Sequence, residues 1–191
     1  MPRTPYTPPA QVVKCGHEGL LDIAGCSAIV EEHVLPTYVI GLKECCTGGA
    51  GGPGYAELAG WKFLITDRHN HVFMADVMAV DDGADGGVLA TADSDYARKI
   101  LQAVRDIDSV FLDTIGIPAP NYELRWLSIP SILVEGLWLH ATEDGETSWV
   151  SPALSLSAQM RDIALFTFDD LVLIASELGQ KREAVDDSPV F

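Results

Sequence analysis

Apolar side chains recur at helical spacing in three places along the chain. Leu20, Leu21, Ala24 and Ala28 share one face of a segment running to His33, with Pro36 as its stop. Ala97, Ile100, Leu101, Val104 and Ile107 form the clearest stripe, with Asp93 or Ser94 placed to cap it. Phe168, Leu171, Ile174, Ala175 and Leu178 form the third, opened by Thr167 with Asp170 three residues on and closed by Gly179.

Strand patterns lie between these helices. Gln11–Cys15 reads as a short strand and Thr37–Leu42 as a β-branched, aromatic one. Trp61–Thr66 and Val72–Met78 flank Asp67-Arg68-His69-Asn70 as a hairpin. Residues 123–129 and 132–140 are apolar on both faces, as in central strands, and are separated by Pro130-Ser131. A tight turn there would set Arg125 opposite Glu135, so a cross-strand ion pair is expected between them, because a charge inside an apolar hairpin must be matched. The order predicts an α+β fold: one domain, an antiparallel sheet of about five strands and two to three packed helices. Residues 1–10, with Pro2, Pro5, Pro8 and Pro9, read as a flexible arm. Residues 11–180 form the domain and 181–191 an acidic tail.

Charge changes this picture. The 191 residues carry 28 acids and 12 bases, a net of −16, which argues against nucleic-acid and anionic-membrane partners. Leu171–Ala175 is the longest clean apolar run, far too short to span a bilayer. A cytoplasmic protein with reduced thiols is expected. The acidity is uneven: residues 1–71 hold seven acids and five bases, and the rest hold twenty-one and seven. The near-neutral front also holds all four cysteines and four of the five histidines, so metal or thiol chemistry is sought there.

On a strand Cys15 and His17 would share a face, and Cys45 and Cys46 follow. Thiolate and imidazole are the ligands of a tetrahedral zinc site, but no CxxC-type spacing is present and free cysteine is commonly a buried core residue. Asp67-x-His69-x-His71 alternates potential ligands, yet lies where a polar hairpin turn is expected. No cofactor is expected, zinc being the one alternative. Gly49, Gly51 and Gly54 spell GxGxxG, but Pro53 and the hairpin that follows deny it the strand–turn–helix context of a dinucleotide site. There is no Walker-type loop and no GxSxG elbow.

In element order alone, helix, three strands, helix, two strands, helix is similar to the small acidic dimeric chaperones of bacterial secreted effectors. That likeness implies a protein-binding role and a homodimer. An acidic immunity-type protein that neutralises a basic toxin suits the composition equally. The leading expectation is therefore a protein-binding, adaptor or chaperone-like module with a basic partner. The alternatives are a metal-binding protein or metal-dependent enzyme with its Cys/His site in residues 15–71, and a structural subunit of a larger assembly marked by tryptophans exposed on one surface.

Overall fold

The computed structural model describes residues 8–24, 29–41, 43–44, 56–78, 88–91, 94–115, 122–142, 147–155 and 165–186. The chain runs α1 (Ala10–Ala24), β1 (Ile29–Val39), β2 (Glu57–Asp67), β3 (Val72–Met78), β4 (Val88–Thr91), α2 (Asp95–Ile115), β5 (Tyr122–Ile129), β6 (Val134–Ala141), β7 (Trp149–Ser155), β8 (Phe166–Thr167) and α3 (Phe168–Asp186). All eight strands lie in one sheet, in the order β4-β3-β2-β1-β5-β6-β7-β8. Every neighbouring pair is antiparallel except β1 and β5, which run parallel at the centre. Two four-stranded meanders, each followed by a helix, are thus joined side by side. The α+β class is as expected; the strand count is higher, and one central pair is parallel.

Side-chain alternation divides the core between the two faces. On one face Leu35, Leu64, Met74, Trp126, Leu137 and Leu139 pack against Ala97, Ile100, Leu101, Val104 and Ile107 of α2. The other face is shared by two helices. Val12 and Leu20 of α1 pack on Trp61, Phe63, Ile65, Phe73 and Val77. Phe168, Leu171, Val172 and Ala175 of α3 pack on Leu127, Ile129, Trp138 and Val150. Both later helices start on a side-chain cap: Ser94 Oγ accepts from Ala97 N at 3.1 Å, and Thr167 Oγ1 accepts from Asp170 N at 3.0 Å.

The front of the chain departs from its expected elements. Gln11–Cys15 lies in α1, not in a strand, and the helix expected to reach His33 ends at Ala24, with β1 taking residues 29–39. Pro9 stands just before the helix, a position where its missing N–H is no loss, and Val13 N donates to its carbonyl at 3.2 Å. Gly16 brings α1 close to the sheet, since a Cβ there would lie 2.8 Å from the Phe63 ring. Pro36 does not break β1, because it precedes the Thr37–Val39 stretch in which β1 pairs with β5. At the other end α3 continues through Gly179 to Asp186, so the tail does not begin at 181. Residues 1–7, within the expected arm, lie outside the described residues.

Among the described residues no helix is long and apolar enough to cross a membrane. Trp61, Trp126 and Trp138 are buried and Trp149 is half-buried, so the exposed tryptophan surface that would mark an assembly subunit is not formed by them.

Candidate functional site

Cys15 and His17 sit on α1, where residues two apart point to different sides of the helix rather than sharing a face. His17 Nε2 instead lies 2.6 Å from Glu32 Oε1 on β1, and Gln11 donates to Cys15 Sγ at 3.7 Å. Cys45 and Cys46 lie outside the described residues. His69 and His71 occupy the β2–β3 turn, organised by Asp67: its Oδ1 accepts from His69 N at 2.8 Å and His71 N at 2.9 Å, and its Oδ2 lies 3.1 Å from His71 Nδ1. Asn70 takes the left-handed conformation that closes this turn, with φ 60°. Burial works against ionisation of Asp67, but the N–H groups of His71 and His69 outweigh it and hold the carboxyl below its usual range. Its oxygens stabilise the turn. Among the described residues no three His, Cys, Asp or Glu side chains converge as a metal site.

Arg125 and Glu135 do not pair either. Pro130–Ile132 forms a 3-10 turn, and Leu133 closes it in the left-handed conformation, φ 54°. Ile129 therefore pairs with Val134, and Arg125 with Trp138. Against the tight-turn register this is a shift of three residues, and an odd shift sends side chains to opposite faces. Arg125 lies on the α1/α3 face with Glu123, and Glu135 lies on the α2 face with Tyr96.

A concavity among the described residues lies on the α2 face, at the end of the sheet where β1 and β5 finish and β2 and β6 begin. It is a cleft of about 200 Å³ lined by Thr37, Val39, Ala59, Gly60, Trp61, Lys62, Asp76, Val77, Met78, Trp126, Ser128 and Glu135. Its origin is compositional. Gly60 has no side chain and Thr37 and Ser128 have small ones, in rows where their neighbours are Met78 and Trp126.

Lys62 and Asp76 are directly opposed in the β2–β3 pair, and Lys62 Nζ donates to Asp76 Oδ1 at 2.7 Å. The same nitrogen stands 5.1 Å from the centre of the Trp126 ring and donates weakly to Met74 Sδ at 3.6 Å. Lys62 is only 3% exposed, so its charge depends on these three contacts. At the far end Tyr96 Oη donates to Glu135 Oε2. Burial, and then the Glu135 carboxylate, push the Tyr96 hydroxyl well above its usual range, so it stays protonated. Thr37 Oγ1 is buried without a partner. The cleft thus sets two carboxylates and one cation among apolar walls.

A second polar group occupies the opposite face. Arg125 Nε and Nη2 donate to Glu123 Oε2 at 3.1 and 2.6 Å, and the guanidinium stands 4.5 Å from the Tyr38 ring and 5.0 Å from the Trp138 ring. His140 lies opposite Glu123 in the ladder, and its ring is 4.9 Å from that of Trp138. Burial, and then the Arg125 charge, hold His140 below its usual pKa.

The sequence reading missed the Lys62–Asp76 pair, although its signal was present. Once Asp67 and His71 close the turn between these two strands, Lys62 and Asp76 face one another. Comparison with protein-family models, curated proteins and solved structures finds no match to the chain.

Proposed function

We propose that the chain is a protein-binding module whose recognition site is the α2-face cleft, and that it takes an extended, basic and apolar segment of a partner. The observation that carries this reading is the composition of the cleft: carboxylates outnumber the cation among apolar walls. Lys62 is neutralised by Asp76, which leaves Glu135 as the unbalanced charge. A protein at −16 steers basic partners toward such a site. From Asp76 on β3 to Glu135 on β6 is four interstrand steps, roughly 19 Å at about 4.8 Å each. That span suits about six residues of extended chain better than one side chain. Met78, 57% exposed, extends the apolar rim. The unbridged thiol of Cys15 is in keeping with a reducing, cytoplasmic setting.

The test is fluorescence anisotropy with a labelled octapeptide carrying arginine at both ends and apolar residues between. A second peptide of the same apolar sequence carries glutamate at the ends. The arginine peptide should bind more tightly, more weakly as salt rises, and about tenfold more weakly to Glu135→Gln, the loss of one charge-assisted contact. Equal binding of both peptides, or unchanged affinity in Glu135→Gln, would refute the reading.

A further inference from the structure

Three buried polar atoms without a hydrogen-bond partner fall together on the α1/α3 face: Glu123 Oε1, Trp138 Nε1 and His140 Nδ1. Buried polar atoms are nearly always paired, so three in one place ask for an explanation. They belong to a two-by-two block of the β5–β6 ladder in which Glu123 opposes His140 and Arg125 opposes Trp138. Directly opposed side chains of one face are in mutual reach. The block adjoins the α3 core, the Trp138 ring stacking on Phe168 at 4.9 Å, and the Arg125 and Glu123 side chains are 14% and 13% exposed, so access from solvent is narrow.

The signs of the unpaired atoms define what would satisfy them. Trp138 Nε1–H can only donate, and the Glu123 carboxylate can only accept. His140 Nδ1 does either, according to its tautomer. Arg125 and Glu123 cancel in charge, and His140, kept neutral by burial and by Arg125, adds none. An anion would meet the unpaired carboxylate oxygen, and a cation would meet Arg125 and the indole N–H. A neutral group that both accepts and donates meets neither objection. We propose that this block is a subsite for a neutral hydroxyl- or amide-bearing small molecule, its polar group accepting from Trp138 Nε1–H and donating to Glu123 Oε1. The site is separate from the cleft, on the other side of the sheet, and stands or falls independently of it.

The indole N–H resonance of Trp138, assigned by its loss in Trp138→Phe, reports occupancy directly. It is followed while the intact protein is titrated at equal concentrations with glycerol, acetamide, acetate and methylammonium. Saturable shifts with glycerol or acetamide and none with the two ions are expected. Glu123→Gln removes the acceptor charge and leaves Arg125 unbalanced, so it should weaken glycerol binding about tenfold and let acetate in. No saturable shift from any probe is the result an ordinary interior water would give, and it overturns the proposal. So does a response to acetate in the unaltered protein as strong as that to glycerol.

Discussion

Each face of the sheet holds a cation against an indole ring, yet the two sites are set differently. On the α2 face Lys62 reaches Trp126, pairs with a carboxylate on the next strand, and lines an open cleft. On the α1/α3 face Arg125 is held by Tyr38, Trp138 and a carboxylate two residues away on its own strand. What separates them is the hydration of the partner acid: the Asp76 side chain is 32% exposed and that of Glu123 13%. A buried pair broken on one side leaves an uncompensated charge, whereas a half-wet carboxylate recovers water. The same device thus sits in a closely buried block on one face and borders an open cleft on the other.

That difference is broken most severely at Arg125. Arg125→Met leaves Glu123 buried and alone, and should lower unfolding stability by about 3 kcal/mol, read from urea denaturation. Tyr96→Phe takes a charged acceptor's hydrogen bond from Glu135 and should lower stability by about 1.5 kcal/mol. Lys62→Met is the sharper comparison. Asp76 regains water, so the loss should be about 1 kcal/mol, while the cleft becomes more acidic and binds the arginine peptide several-fold more tightly. An equal loss for Arg125→Met and Lys62→Met would mean that exposure of the partner acid does not set the difference.

The legible parts of the fold are those fixed by local pattern. The stripe from Ala97 to Ile107 and the Thr167 cap are read from neighbours a few residues away, and both are observed. The β2–β3 hairpin was equally readable, because Asp67 and Asn70 are turn-forming side chains acting on their own backbone. The front of the chain was not. Whether Val12 and Leu20 form a helix face depends on Phe63 lying across from Gly16, a contact some fifty positions distant in the chain. β8 was missed because a strand of two residues has no period to detect, and β7 because Pro152 interrupts its run. The Arg125–Glu135 expectation failed on one turn, since left-handed Leu133 is not a residue that announces that conformation. The cleft was illegible for a related reason: it is an absence of side-chain volume at Gly60 and Thr37, seen only once five strands are in register.

The smallest effect expected is a pH dependence, and it distinguishes the faces by window. His140 is held below its ordinary value of 6.5 by burial and then by Arg125. The unfolded chain therefore binds the proton more readily, and stability rises with pH across that range. This contribution is fully present above pH 6.5 and is lost as pH falls through the lower, folded value. On the α2 face Glu31 is held at about 2, against 4.5, by hydrogen bonds from Arg105 and then His33. Its contribution is present above pH 4.5 and disappears between 4.5 and 2, and is modest because the Glu31 side chain is 34% exposed. Urea midpoints measured across both windows should therefore decline in two stages. His140→Gln should flatten the stage that begins at pH 6.5 and leave the acidic one, and Glu31→Gln should do the reverse. A first stage that persists undiminished in His140→Gln would assign that slope to a group other than His140 and remove the neutral histidine on which the charge balance of the Arg125 block depends.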